Sequence, residues 1–368
     1  MSDSKERNFL VGIFGENFHH RNIIGQTLGS PGTKSDIQFY NRLDESLGHV
    51  FCALTPNEYP EKVKPFLQVL TITTTHVLVI DLEIGLNAVV GEILVGMDMF
   101  NQLFTKNGLI VIANINSKTE WKLNEVKKKI LSIITTTSLK NVEIIELKDN
   151  DKSDLDNLKT KIIELNTSEL NSDSKSPYTK ILIDHAFPVK GIGTVILGVV
   201  KNGLLNAGGM VEIVGYDSSP PKKVILRSIQ KHDRDFKTAH EGDRVGLALK
   251  GNISHHDISR DNIIVSQGTF KHEREIIAKV YVNQFYKPKS GIIKPGDGTQ
   301  YYALSELKLS PIKFISGEDL IPGKSGNVKI SIEKPLVHDG KGLKGIITEL
   351  NRFENKLRIV GHYNQLIK

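Results

Sequence analysis

AFPVKGIGTVILGVVKNG, residues 186–203, contains two short apolar runs separated by Gly191 and Gly193. Glycine permits the sharp bend between the runs, and the closing KNG (201–203) suits a hairpin turn. Similar runs recur downstream with turn residues about every ten positions, and a second set starts near Glu275. The second half of the chain is therefore predicted to form small antiparallel β-barrels or sandwiches.

The first half of the chain has a different pattern, in which apolar runs alternate with helical periodicity. The apolar runs are Phe9–Phe14, Val77–Asp81, Leu109–Ala113 and Val142–Leu147. Apolar residues recur near a 3.6-residue period in Glu61–Leu70, Val89–Phe104 and Glu120–Ile134, and Asp149–Lys161 is typical of a capped helix. This alternation predicts an open α/β sheet whose strands are parallel and buried on both faces.

A polar stretch separates these two halves. Leu165–Ser176 is rich in Ser and Asn and lacks apolar periodicity, so it is predicted to be a linker. We therefore expect three domains: an α/β domain with its linker at 1–176, a β-barrel at 177–269 and a second β-barrel at 270–368.

Composition alone restricts function only weakly. The 368 residues include one cysteine, Cys52, which excludes an internal disulfide and is compatible with a reducing cytosol. No signal peptide or membrane-spanning run is visible, so a cytoplasmic protein without membrane contact is expected. The net charge of +6 is compatible with RNA binding but is spread along the chain.

Residues 181–265 resemble the second domain of translational GTPases of the elongation factor Tu class. The matching stretches are 186–195, 198–203, 211–215, 227–230 (RSIQ) and 241–251 (EGDRVGLALKG), followed in the last domain by 321–323 and 328–335. Near the N-terminus, Val11–Gly15 is most similar to the selenocysteine-specific branch. The resemblance implies a P-loop-NTPase-like first domain followed by two barrels, with transfer RNA or the ribosome as partners. The sequence shows no fourth domain after Lys368, so we do not expect decoding of a selenocysteine signal.

The phosphate-binding loop that this family requires is altered. Such a loop needs two glycines, a lysine and a hydroxyl residue at fixed spacing, because backbone N–H groups, an ammonium and a Mg²⁺ ligand must surround the phosphates. Gly15 matches the first glycine, whereas His20, Arg21 and Asn22 stand at the other three positions. We interpret the loop as vestigial.

Two further nucleotide motifs are also altered. Leu54, Asn57 and Glu58 replace the aspartate, glycine and histidine that hold Mg²⁺ through water, contact the γ-phosphate and position the attacking water. We interpret Glu58 as a solvated acid near a helix start rather than a group that orients water. Asn114 survives from the guanine-reading motif, but Ser117 replaces its carboxylate.

The leading hypothesis is an elongation-factor-like protein that associates with RNA or the ribosome, has no catalytic residue and needs no cofactor. One alternative is a true but atypical GTPase that binds GTP or GDP with Mg²⁺. Another is a protein–protein adaptor that binds neither nucleotide nor transfer RNA. No metal site is expected from the adjacent histidine pairs.

Two features near the end of the first domain have a simple interpretation. Trp121 opens a lysine-rich helix, and we expect it to pack against the core rather than to stack on bases. Lys127–Lys129 is interpreted as a solvated face, with RNA contact as the alternative.

Overall fold

A computed structural model describes residues 6–148, 151–167, 178–350 and 356–367. Most of the predicted linker and the predicted boundary at 176 lie outside these residues. The chain forms two compact units, one comprising Met1–Ser172 with Leu350–Ile359 and the other Asp173–Glu349 with Val360–Lys368.

The first unit is built on a mixed seven-stranded sheet. Its strands are β1 (Arg7–Phe14), β2 (Ser30–Pro31), β3 (Ile37–Asp44), β4 (His49–Pro56), β5 (Thr75–Asp81), β6 (Asn107–Ile115) and β7 (Glu143–Lys148). They lie in the order β2-β3-β4-β1-β5-β6-β7. All neighbours from β4 to β7 pair in parallel, whereas β2 and β3 form an antiparallel edge.

Five helices accompany this sheet. They are α1 (Phe18–Leu28), α2 (Val63–Ile72), α3 (Ala88–Phe104), α4 (Leu123–Ile134) and α5 (Lys152–Thr167), with a single 3₁₀ turn at Glu120–Lys122. Strand β1 reads as a continuous apolar run because Phe9, Val11 and Ile13 pack in one cluster with residues of α1 and α5 while the strand's opposite face is also buried.

The helix boundaries differ from the sequence predictions in ways that local chemistry explains. Helix α2 begins at Val63 rather than Glu61, and Pro65 lies in its first turn, where a missing N–H is tolerated. The segment predicted to be helical from Glu120 starts as a 3₁₀ turn, and helix α5 begins at Lys152.

The second unit begins with a closed antiparallel barrel. Its strands are β8 (Lys180–Val189), β9 (Gly193–Asn202), β10 (Leu205–Asn206), β11 (Met210–Val214), β12 (Lys222–Lys231), β13 (Arg234–Phe236), β14 (Thr238–Ala239), β15 (Arg244–Lys250) and β16 (Ile263–Ser266). Six of them close the circuit β11-β16-β8-β9-β15-β12 through a β11–β12 pairing. The predicted hairpin turn requires Gly203, since its φ is 77° and a Cβ there would lie 2.4 Å from the carbonyl oxygen of Tyr178.

A second closed barrel follows. Its strands are β17 (Lys271–Val282), β18 (Gln300–Ser305), β19 (Lys308–Gly317), β20 (Ser325–His338), β21 (Lys344–Thr348) and β22 (Ile359–Gln365), in the order β17-β20-β19-β18-β21-β22. The predicted fold class, a parallel-sheet domain followed by two antiparallel barrels, is confirmed. No helix in the described part of the chain is long and apolar enough to cross a membrane.

A buried lysine joins the two barrels. The Nζ atom of Lys308 donates to the carbonyl oxygen of Gly215 at 2.7 Å and lies 2.8 Å from a carboxylate oxygen of Asp217. Both partners belong to the first barrel, whereas Lys308 starts β19 of the second. Because an ammonium is costly to bury without partners, this contact favours one fixed arrangement of the two barrels.

A buried ion pair anchors the C-terminal segment within the first unit. Arg358, which is 1% exposed, donates from Nε to Oε1 of Glu92 at 3.1 Å and from Nη2 to Oε2 at 2.5 Å. The Tyr59 hydroxyl donates to the same carboxylate at 3.0 Å. Two-point contact of a guanidinium with a carboxylate is geometrically specific, so the pair fixes Arg358 against α3.

We expect Arg358→Met to lower the free energy of unfolding of the first unit by about 3–5 kcal/mol, because it leaves the buried Glu92 carboxylate without its counter-charge. Urea unfolding followed by circular dichroism measures the loss. The matched control is Glu58→Gln, which breaks the exposed pair with Lys62 at 2.9 Å and should cost less than about 1 kcal/mol. Equal losses in the two variants would contradict the proposed role of Arg358.

Candidate nucleotide site

The candidate site lies at the carboxyl edge of the sheet, where β1, β5 and β6 end side by side. Ligands of open α/β sheets bind at this edge. Gly15 follows β1 directly, and a Cβ at this position would lie 2.4 Å from the carbonyl oxygen of Val79 in β5. Only glycine fits this close approach, so Gly15 has a structural reason to be present whether or not a nucleotide binds.

The carboxylate of Asp81, at the end of β5, is the centre of the site. Oδ2 accepts from Nδ2 of Asn17 at 2.6 Å and lies 3.4 Å from Nε2 of His20. Oδ1 accepts from Nδ2 of Asn114 at 2.8 Å and from the backbone N–H of Glu83 at 2.9 Å. The side chain is 6% exposed, and four polar groups from three segments converge on it.

These contacts keep Asp81 ionised at neutral pH. Burial alone would raise the pKa of its carboxyl, but the hydrogen bonds from Asn114, Asn17 and the Glu83 backbone, together with the nearby His20, hold that pKa below its ordinary value. A negative charge therefore already lies beside the first turn of α1, at the end of a helix that attracts anions.

The start of α1 is also capped from within the protein. Asn17 is the N-cap residue, and its Oδ1 accepts from the backbone N–H of His19 at 2.9 Å. The helix starts at Phe18, so the positions expected to form the second half of a phosphate loop are helical. His20, Arg21 and Asn22 consequently present side chains from a helix.

Arg21 points away from the site. Its guanidinium Nη1 donates to Oγ1 of Thr55 at 2.7 Å and to the carbonyl oxygen of Pro56 at 2.8 Å, at the end of β4. The residue is 2% exposed, and burial lowers its pKa to about 10, which still leaves it charged at neutral pH. Arg21 therefore joins α1 to β4, although it stands at the position of the family's phosphate-binding lysine.

Asn22 is likewise engaged inside the fold, since its Oδ1 accepts from the Tyr40 hydroxyl at 3.0 Å. Of the five residues selected from sequence, His20 and Asn114 meet at Asp81, and Gly15 lies at the same sheet edge. Arg21 and Asn22 bind elsewhere.

The segment that corresponds to the second nucleotide motif uses the donors of Asn57 within the protein. The backbone N–H of Asn57 donates to the carbonyl oxygen of Asp36 at 2.8 Å, and its Nδ2 donates to that of Ser35 at 2.8 Å. Glu58 is partly exposed and pairs with Lys62. The first N–H is the group that would contact a γ-phosphate in this family, and it is already used within the protein.

The loop after β6 forms a closed hydrogen-bond network. Oδ1 of Asn114 accepts from Nδ2 of Asn116 at 2.8 Å, and its carbonyl oxygen accepts from the Thr119 hydroxyl at 2.6 Å. Asn114 adopts φ 62°, a left-handed conformation that asparagine tolerates. Ser117 is exposed at the tip of this loop.

Asp81 and Asn17 are functional-site residues that were not predicted from the sequence. The available signal was a carboxylate at the end of the buried run Val77–Asp81, at the sheet edge where polar side chains of neighbouring strands meet. The expectation that Trp121 packs against the core is wrong, because its side chain is 72% exposed. Among the described residues, no group of three or more His, Cys, Asp or Glu side chains could hold a metal ion.

We expect Asp81→Asn to lower the free energy of unfolding at neutral pH by about 1–3 kcal/mol, because the donors that converge on this buried side chain lose an ionised acceptor. The folded-state pKa of Asp81 is depressed, so its contribution is present above the unfolded pKa of about 4 and is lost as pH falls through the folded value. Urea unfolding between about pH 7 and pH 3 should therefore show a smaller loss on acidification in the variant than in the parent. Asp156→Asn, the same change at an exposed site on α5, is the control and should leave the pH profile unaltered.

The chain is similar in sequence to elongation factors and to an uncharacterized protein. The family model for elongation factor Tu domain 2 matches residues 193–257. An uncharacterized protein of Methanocaldococcus jannaschii is 31% identical over 329 residues, which cover 89% of this chain and 91% of that protein. The selenocysteine-specific elongation factor of the same organism is 26% identical over 380 residues, covering 96% of this chain and 79% of that factor.

Solved structures show the same fold. Translation elongation factor SelB from Methanococcus maripaludis, in complex with the GTP analogue GPPNHP, is similar with a TM-score of 0.80 and 22% identity. Its apo form gives a TM-score of 0.79 at 22% identity. Each match covers 98% of this chain and 79% of the SelB chain.

Proposed function

Since the chain belongs to the translational GTPase superfamily, we propose that it is an elongation-factor-like protein that associates with RNA or the ribosome without a GTP-driven cycle. The first domain then acts as a scaffold that no longer switches. A cytoplasmic location is part of the proposal, because Cys52 is a buried free thiol and translation takes place in that compartment.

One observation carries the proposal: the protein's own carboxylate occupies the anion-attracting start of α1. A phosphate brought to this place would meet the Asp81 charge, and in a poorly solvated site two like charges at short range repel strongly. To admit the phosphate, Asp81 would have to give up its hydrogen bonds to Asn17 and Asn114.

The other groups that would offset this repulsion are committed elsewhere. The cation at the lysine position, Arg21, binds Thr55 and Pro56, and the backbone N–H of Asn57 binds Asp36. Guanine selection would also be weak, since Ser117 has no carboxylate to accept two hydrogen bonds from the base. Phosphate recognition and base recognition are thus each opposed by a separate feature of the first unit.

We expect no saturable binding of fluorescent GTP or GDP to the purified protein, with or without Mg²⁺, up to near-millimolar concentration. Anisotropy titration measures this, and SelB from Methanococcus maripaludis, which binds a GTP analogue, serves as the positive control. Magnesium-dependent binding at micromolar concentration or tighter would overturn the scaffold proposal and favour the atypical GTPase.

The RNA or ribosome association is supported by the barrel fold, by the similarity to a selenocysteine-specific elongation factor and by the net charge of +6. We expect the protein to co-sediment with ribosomes or to retain transfer RNA on a filter, with affinity that falls as salt rises, because lysine–phosphate contacts release counterions. Absence of binding in both assays at low salt would instead favour the protein–protein adaptor.

A further inference from the structure

The only tryptophan of the chain, Trp121, lies on the surface with 72% of its side chain exposed. Tryptophan is usually largely buried, because its ring contributes a large apolar area. A conspicuously exposed tryptophan therefore needs an explanation of its own. It stands in the 3₁₀ turn between the Asn114 loop and α4, at the carboxyl edge of the sheet.

The ring of Trp121 is held in place although it is exposed. Its Nε1–H donates to the carbonyl oxygen of Lys118 at 3.0 Å, and the Nζ atom of Lys122 lies 5.5 Å from the ring centroid. Lys122 is itself anchored, because the same Nζ donates to the carbonyl oxygen of Glu83 at 3.1 Å. The loop between Asn114 and Trp121 is held by the buried Thr119, whose hydroxyl donates to the carbonyl oxygen of Asn114. An aromatic surface that is already ordered loses little conformational freedom when a ligand stacks on it.

The chain segment that carries this ring has more positive than negative residues. Residues 118–129 contain five lysines and two glutamates, a formal balance of 5 − 2 = +3. The lysines nearest to the ring in sequence are Lys118, which is exposed, and Lys122. An ordered aromatic ring between lysines is the arrangement that proteins use for single-stranded nucleic acid, in which bases stack on the ring and phosphates meet the cations.

We infer that Trp121, with Lys118 and Lys122, forms a binding site for single-stranded RNA in which an unpaired base stacks on the indole ring. The site deepens the proposed association with RNA and depends on it. It does not require a nucleotide in the altered loop, because none of its three side chains contacts Asp81.

The single tryptophan makes the test direct, since all indole fluorescence arises at the proposed site. Single-stranded oligouridine and oligoadenosine of about ten nucleotides should quench this fluorescence saturably, whereas an RNA duplex of the same length should quench it little. Fluorescence anisotropy of labelled oligonucleotides then gives affinities for variants that lack the indole.

We expect Trp121→Ala to weaken binding of the single strand about tenfold and Trp121→Phe to weaken it less, because phenylalanine keeps a stacking face. Lys118→Gln with Lys122→Gln should reduce both the affinity and its dependence on salt. Lys140→Gln, which removes an exposed lysine near the amino end of β7, is the matched control and should leave the affinity unchanged. Trp121 is so exposed that its replacement should not affect folding, which circular dichroism verifies.

The contrary outcomes separate this site from the broader proposal. RNA binding that neither quenches Trp121 nor weakens in the alanine variant would overturn the site and leave the association with RNA intact. Equal quenching by duplex and single strand would overturn base stacking. Quenching by ribosomal proteins but not by RNA would assign the surface to a protein partner. Failure to bind any RNA would remove the site and the RNA part of the proposed function together.

Discussion

The arrangement of the nucleotide-like edge depends on one buried carboxylate. Asp81 draws together the start of α1, the end of β5 and the loop after β6, because each segment contributes a hydrogen-bond donor to its buried carboxylate. Such donors cost free energy if they are left without an acceptor. The carboxylate therefore performs inside the fold the stabilising task that a bound anion could perform from outside.

The altered motif residues have useful structural roles in the present fold. Arg21 stands where the family's loop has a lysine, yet its guanidinium donates hydrogen bonds to Thr55 and Pro56 at the end of β4. Asn22 on α1 accepts a hydrogen bond from the hydroxyl of Tyr40 on β3. These contacts give both residues a structural role within the first unit.

The fold was largely readable from the sequence, because its signals are local. Apolar runs such as Val77–Asp81 mark buried parallel strands, and glycine-punctuated runs mark the barrels. Strands β3 and β4 were not predicted from the sequence. The role of Asp81 and the direction of Arg21 could not be predicted, because both depend on contacts between segments far apart in the chain. The exposure of Trp121 was not predicted either. Tryptophan side chains are usually buried, whereas the 3₁₀ turn that carries Trp121 faces the solvent.

The pairing of Arg358 with Glu92 has a consequence for biosynthesis. Glu92 is synthesised early, and its partner Arg358 is added only 266 residues later. Domains usually fold in order of their synthesis, but here the N-terminal one must wait for the segment that carries Arg358, with an uncompensated acid in its interior. During that interval the nascent chain should be sensitive to proteases and chaperones, and a premature stop codon a few codons before Arg358 should damage the distant N-terminal unit directly.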